Sequence, residues 1–101
     1  MKNLNNKTLK LCNLKPLTCF NRDDYCKSVL NDYGNHLICA KMNEKFLNYS
    51  AKRGNNLYNV VKPNHKWCIC QNKYLEALQK GKAPKLIKNA TYKYINSKIK
   101  K

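Results

Sequence analysis

The chain has 101 residues and a net charge of +16, from 21 Lys and Arg residues against 5 Asp and Glu residues. This length supports one hydrophobic core, and an apolar fraction of 43% argues against general disorder. No apolar run approaches the ~20 residues of a membrane span, and no apolar segment of a secretory signal follows the basic start. We predict an intracellular, cytoplasmic domain over residues 11–101, behind a flexible basic arm over residues 1–10.

The positive charge predicts a polyanionic partner, because it attracts phosphate groups over much of the surface. Arginine occurs at two positions, Arg22 and Arg53. Guanine is usually read by arginine, whereas lysine holds phosphates as a point charge. We therefore predict nucleic-acid binding without sequence preference and with a steep salt dependence. The alternative is that the excess of Lys and Asn reflects an A/T-rich genome, because both are encoded by A/T-rich codons. The lysines then form an ordinary solvated surface without a ligand.

The first regular elements are a strand and a helix with clear end signals. Residues 36–42 place apolar side chains on both faces of a strand, which indicates burial on both sides. Asn43 is a typical N-cap residue, and the charge of Glu44 suits the first helical turn. Gly54 is a typical glycine for the end of a helix. These signals predict a strand over 36–42 and a helix over 43–53.

A second strand and helix follow around the single tryptophan. The strand is predicted over residues 66–70, where Cys68 and Cys70 share one face and Trp67 lies on the other. A helix over 72–80 comes next, ended by a glycine and a proline.

The end of the chain is predicted to add a third strand over 85–91 and a short helix with a basic rim over 92–99. Tyr92, Ile95 and Ile99 recur there at helical spacing. The whole pattern predicts a small α+β domain in which a short sheet is covered by helices.

Three interpretations stay open for the six cysteines as reduced thiols: zinc ligands, buried apolar side chains and a redox pair. An even count in a short chain suits disulfides in an oxidising compartment, but without a visible signal peptide we predict reduced thiols. Two ligands on one strand face and a third on a neighbouring strand suit zinc, although no C-x-x-C spacing is present. Buried apolar cysteines and a redox pair are the other interpretations. The candidate metal ligands are Cys26, His36, Cys39, Cys68 and Cys70.

A candidate site for a small anion lies at Arg53-Gly54-Asn55. An arginine at a helix end, beside a flexible Gly-Asn turn, can hold a carboxylate or a phosphate. Arg22 and Asp23 are candidate neighbours of this site. The alternative is structural: Gly54 ends the helix, Arg53 suits its dipole, and Arg22 and Asp23 form a local ion pair.

Several short motifs occur in a fixed order along the chain. They are His36-x-x-Cys39-Ala40, Phe46-Leu47, Ser50-x-x-Arg53-Gly54-Asn55-x-Leu57, Trp67-Cys68-x-Cys70, Glu76-Ala77-Leu78-x-x-Gly81-x-Ala83-Pro84 and Ala90-Thr91. With Arg22-Asp23, Cys26 and Cys12, this order resembles the DUF2237 family of small bacterial proteins of unknown function, over about residues 10–95. The resemblance implies a fold but no activity.

The chain departs from the family pattern at several positions. Cys19 stands in place of a glycine, Asn56 in place of an aspartate and Tyr92 in place of a histidine. If the family used that aspartate or histidine for acid–base chemistry, this chain has lost it. The Lys- and Asn-rich composition suggests a divergent copy from an A/T-rich genome, such as that of a large DNA virus.

Three functions follow as hypotheses. The first, which the sequence favours, is a nucleic-acid (polyanion) binding or packaging protein. The second is a small-anion-binding or enzymatic domain with a site near Arg53, Asn55 and the cysteines. The third is a structural protein with no ligand. Catalysis is not the favoured role.

Overall fold

A three-stranded antiparallel sheet with the order β2–β1–β3 is the frame of the protein. The computed structural model describes residues 1–12, 25–26, 32, 35–59, 61–95 and 97–99. Its elements are β1 (Ile38–Lys41), α1 (Glu44–Lys52), β2 (Lys66–Ile69), α2 (Gln71–Gln79) and β3 (Lys85–Leu86), with 3-10 turns at Leu57–Asn59 and Lys88–Ala90. The predicted α+β class is confirmed. Within these residues, no helix is long and apolar enough to cross a membrane.

The central strand β1 is buried on both faces, as its sequence predicted. Ile38 and Ala40 belong to the main apolar core, to which both helices contribute. Cys39 belongs to a second cluster, which is rich in cysteine. Because successive side chains of a strand point to opposite faces, the sheet separates the two clusters. The main core consists of Leu37, Ile38, Ala40, Met42, Phe46, Leu47, Val61, Ile69, Tyr74, Ala77, Ile95 and Ile99.

Helix α1 begins and ends where its local signals placed it. The Asn43 side-chain oxygen accepts a hydrogen bond from the backbone N–H of Phe46 at 2.8 Å, which satisfies one free donor of the first turn. Gly54 adopts a φ of +93°, a left-handed conformation that favours glycine. Phe46 and Leu47 face the core. The helix occupies residues 44–52, one residue shorter at each end than predicted.

The first ten residues contact the rest of the domain. Asn3 is buried, and its side-chain amide donates to the carbonyl oxygens of Thr8 (3.1 Å) and Asn89 (3.0 Å). Leu9 is also buried. The flexibility of this arm stays a prediction.

The end of the chain differs from the sequence prediction. The third strand is two residues long, because a 3-10 turn follows it at Lys88–Ala90. The predicted helix over 92–99 is wrong for the described residues 92–95 and 97–99, which are bridges, bends and turns. The backbone N–H groups of Tyr92 and Lys93 donate to the carbonyls of Leu37 (3.0 Å) and Lys2 (2.9 Å). These contacts hold the segment against its neighbours.

Candidate functional site

A row of three lysines crosses one end of the sheet. Lys41 of β1 lies opposite Lys66 of β2 and opposite Lys85 of β3 in the strand register. Directly opposite residues of antiparallel strands point to the same face, with Cβ atoms roughly 5 Å apart. All three lysines are exposed. We call Lys41, Lys66 and Lys85 the lysine row.

Two lysines of the row, Lys41 and Lys85, have no acidic partner among the described residues. The Asp32 carboxylate contacts the His36 ring at 2.8 Å, and that of Glu76 contacts Arg53 at 2.9 Å. Like charges opposite one another destabilise a sheet, so the fold carries this row at a cost.

The predicted Arg53-Gly54-Asn55 site forms one wall of an open cleft at the end of α1. Ser50 holds the turn, since its hydroxyl donates to the Asn55 carbonyl at 2.7 Å and its carbonyl accepts the Asn55 N–H at 2.9 Å. The cleft is shallow and open to solvent, and its lining residues are Phe46, Tyr49, Ser50, Arg53, Asn55, Lys73 and Glu76. Arg53 and Asn55 therefore both line the cleft, and their role in holding an anion stays a prediction.

Glu76 of α2 is the acidic group of this cleft, and sequence reasoning did not select it as a site residue. Its carboxylate accepts a hydrogen bond from the Tyr49 hydroxyl at 2.8 Å and contacts the Arg53 guanidinium at 2.9 Å. The Tyr49 hydrogen bond is the main cause that lowers the pKa of Glu76; desolvation opposes it, and Arg53 and Lys73 add to it. The same hydrogen bond raises the pKa of Tyr49.

Replacing Tyr49 by phenylalanine is expected to raise the pKa of Glu76 toward its usual value, because the largest stabilising contact of the carboxylate is lost. The measurement is an NMR titration of the Glu76 carboxyl carbon. Tyr58→Phe is the matched control, since that hydroxyl donates to Asn48 and not to Glu76. A Glu76 pKa that does not move in Tyr49→Phe would contradict the assignment.

The lowered Glu76 pKa also sets a direction for stability. A carboxylate whose pKa is lower in the folded state stabilises the fold above its unfolded-state pKa. This contribution is lost as the pH falls through the folded-state pKa. The acid side of the stability curve is therefore expected to be less steep in Glu76→Gln, as measured by urea denaturation at several pH values.

The cysteine-rich cluster lies on the face of the sheet opposite the main apolar core, which is also the face of the lysine row. Cys12 is bonded to Cys39, and Cys26 is bonded to Cys68, with Cα–Cα distances of 5.6 and 5.5 Å. The prediction of reduced thiols is wrong for these four residues. The sulfurs of Cys12, Cys26 and Cys39 all lie within 4.8 Å of one another. Cys70, at the start of α2, is a partly buried free thiol.

The predicted metal ligands are thus only partly brought together. Cys26, Cys39 and Cys68 share the buried cluster. His36 and Cys70 do not belong to it, and the ring of His36 is held by Asp32 instead. Cys12 joins the cluster, although the prediction omitted it.

Of the predicted anion-site neighbours, Arg22 and Asp23 lie outside the described residues. Their proximity to Arg53 stays a prediction.

Comparison with known proteins adds one finding to this geometry. The family model of DUF2237, described as an uncharacterized protein conserved in bacteria, matches residues 2–100. The chain belongs to the DUF2237 family. A search of curated proteins finds no match. The motif residues that indicated DUF2237 meet mainly in two places. Cys39 and Cys68 belong to the cysteine cluster and Thr91 contacts Cys39, whereas Arg53 and Glu76 line the cleft.

Proposed function

We propose that this DUF2237 protein binds nucleic acid through the lysine row without reading the base sequence. The observation that carries the proposal is the register of the sheet, which aligns Lys66, Lys41 and Lys85 on one face. A protein of net charge +16 attracts any polyanion. A fixed row of lysines on a rigid sheet adds a defined line of contact for phosphate groups.

The residue types of this surface favour phosphate contact over base readout. A lysine ammonium is a point charge on a flexible stem, whereas bidentate recognition of guanine usually uses arginine. Arg53, the arginine among the described residues, already contacts Glu76 at 2.9 Å. We therefore expect similar affinity for duplexes of different sequence.

Lys45 extends the basic surface beyond the sheet. Its Nζ atom lies 3.4 Å from the Gly81 carbonyl, at the turn after α2. Lys82 follows this turn and precedes β3, and it is exposed. Lys45 and Lys82 therefore add exposed positive charge near the end of α2, outside the lysine row.

The small-anion site at Arg53 and Asn55 is the alternative proposal. An anion in this cleft would have to compete with Glu76, whose carboxylate already contacts the Arg53 guanidinium. No such competitor is present at Lys41 or Lys85 among the described acidic residues. This difference is the reason for preferring the lysine row.

The test is the salt dependence of binding to a short DNA duplex, measured by fluorescence anisotropy. The logarithm of the binding constant falls with the logarithm of the salt concentration by about 0.9 for each neutralised phosphate. Replacing all three residues of the lysine row by glutamine is expected to reduce this slope by roughly 2 to 3. Glutamine removes the charge and keeps most of the side-chain stem.

A triple variant at Lys2, Lys10 and Lys88 is the matched control. These lysines are exposed, and the backbone contacts of the N-terminal segment bring them near the opposite end of the sheet. The control loses the same total charge, so it is expected to change the slope by less than the row variant does. Equal slopes for the two variants would overturn the lysine row as the site.

One further outcome separates the remaining hypotheses. If the wild-type protein does not bind the duplex at ~50 mM salt, where such binding is strongest, the nucleic-acid function is wrong and a structural role gains support.

A circular dichroism spectrum confirms that each variant folds. Relief of the repulsion between the opposite lysines Lys41 and Lys85 is expected to favour the folded state of the row variant.

A further inference from the structure

We propose that Cys12, Cys26, Cys39 and Cys68 form a zinc site when their two disulfides are reduced. The same four buried cysteines would thus be either linked by two disulfides or bound to one zinc ion. The inference rests on the geometry of the four cysteines and does not depend on nucleic-acid binding.

The first observation is the proximity of sulfurs that belong to the two different disulfides. Cys12, Cys26 and Cys39 come from separate segments of the chain, yet their sulfurs lie within 4.8 Å of one another. Four sulfurs around a tetrahedral zinc ion, each about 2.3 Å from the metal, lie about 3.8 Å apart. After reduction the sulfurs of Cys12 and Cys39 need to separate, and the Cys26 sulfur needs to approach them by about 1 Å or less, to reach this spacing.

The fourth ligand follows from the strand register. Cys68 is directly opposite Cys39 across β1 and β2, and its sulfur is bonded to that of Cys26. Opposite residues of this kind have Cβ atoms roughly 5 Å apart on the same face. Two ligands therefore lie on the sheet, and the two disulfides place Cys12 and Cys26 beside them.

Burial makes this a structural site and not a catalytic one. The four cysteines are at most 2% exposed. Four protein ligands leave no open coordination position for water or substrate, as in structural zinc sites. The thiolates carry two more negative charges than one zinc ion neutralises, and a chain of net charge +16 favours that surplus.

A neighbouring hydrogen bond fixes one ligand in place. The Thr91 hydroxyl accepts the backbone N–H of Cys39 at 3.1 Å. Residues around a metal site commonly orient its ligands in this way. Ala90 and Ile87 complete an apolar wall, which excludes water from the sulfurs.

The conversion between the two states balances with a dithiol as the reductant. Each S–S bond is broken by exchange with one dithiol, which becomes a cyclic disulfide and gives its two protons to the cysteine sulfurs. Zinc then replaces the four thiol protons, which pass to solvent.

Cobalt titration is the test, because Co²⁺ reports tetrahedral thiolate ligands by its visible absorption. The full-length protein is reduced anaerobically with a phosphine, freed of metal with a chelator and titrated with Co²⁺. The expected result is one ion per chain, with intense visible bands and a near-ultraviolet thiolate-to-cobalt band, all removed by Zn²⁺. Absence of these bands from reduced wild-type protein overturns the proposal.

Single Cys→Ser variants identify the ligands. Changes at Cys12, Cys26, Cys39 or Cys68 are each expected to shift and weaken the cobalt bands, whereas Cys70→Ser is expected to leave them unchanged. A loss of the bands in Cys70→Ser, or no change in Cys68→Ser, would overturn this ligand set.

A measurement on the wild type covers the case in which a variant does not fold. A thiol-reactive dye counts the reactive cysteines of the reduced protein with and without Zn²⁺. Zinc is expected to protect four cysteines from the dye, and equal counts in the two samples would contradict the site.

Discussion

Removing either disulfide is expected to lower the free energy of unfolding by about 3 to 4 kcal/mol, in the chain-entropy description of cross-links. The Cys26–Cys68 bond spans 42 residues and the Cys12–Cys39 bond spans 27. Each bond restricts the unfolded chain over a long loop, and its loss returns that conformational freedom. Small domains are stable by only about 5–15 kcal/mol, so this is a large fraction of the total.

The measurement is urea denaturation of two double alanine variants, Cys26→Ala with Cys68→Ala and Cys12→Ala with Cys39→Ala. Cys70→Ala is the control for the loss of a cysteine side chain, since Cys70 is a free thiol. We expect the removal of both bonds to cost slightly more than the sum of the two single removals, because the loops share residues 26–39 and each bond restricts the chain less while the other is closed. A wild-type unfolding midpoint that does not change on reduction in metal-free buffer would show that the bonds do not stabilise the fold.

The same experiment connects stability to the zinc proposal. A metal that binds the folded state and not the unfolded state stabilises the protein by mass action. Zinc added to the reduced wild type is therefore expected to recover part of the lost stability. It should recover less in a protein that lacks Cys26 and Cys68.

Local signals in the sequence predicted the first helix and both of its ends. The Asn43 cap and the Gly54 turn act within a few residues of the backbone they stabilise. The two-sided burial of β1 was predictable for a similar reason. Side-chain alternation in a strand is set by the strand itself, whatever packs on either face.

Long-range pairing accounts for what the sequence did not predict. Ile95 and Ile99 are buried at helical spacing, but the segment forms no helix in its described residues. The backbone N–H of Tyr92 bonds to Leu37 instead, across more than fifty positions of the chain. The spacing of apolar residues shows which side chains are buried in the core. It does not show which backbone carbonyls accept hydrogen bonds from the N–H groups of the segment.

The candidate sites differ in the same way, since some arise from local motifs and others from contacts between distant segments. The Arg53 turn is a local motif, and the sequence identified it. The lysine row depends on strand register, and no sequence motif near Lys41 or Lys85 indicates this alignment. Cys12 offered one signal, its match to an early family cysteine, but its proximity to Cys39 arises from a contact between distant segments.

Thr91→Val is expected to destabilise the fold by about 2 kcal/mol, because a buried N–H group loses its acceptor. The Thr91 hydroxyl is fully buried among backbone groups. It accepts from the Cys39 N–H at 3.1 Å and donates to the Ile87 carbonyl at 2.8 Å. Valine has nearly the same shape and keeps the methyl contact. The loss of stability in Thr91→Val therefore measures the lost hydrogen bonds and not the formation of a cavity.

Thr91→Ser is the matched control, since it keeps the hydroxyl and removes one buried methyl group at a cost of about 1 kcal/mol. Urea denaturation under oxidising conditions compares both variants with the wild type. The valine variant is expected to be the less stable of the two, because an unpaired backbone group beside Cys39 costs more than a lost methyl contact. The opposite order would show that Thr91 acts through packing. In that case the Ala90-Thr91 motif would support the cysteine cluster by shape, and the hydroxyl would not be what holds Cys39 in place.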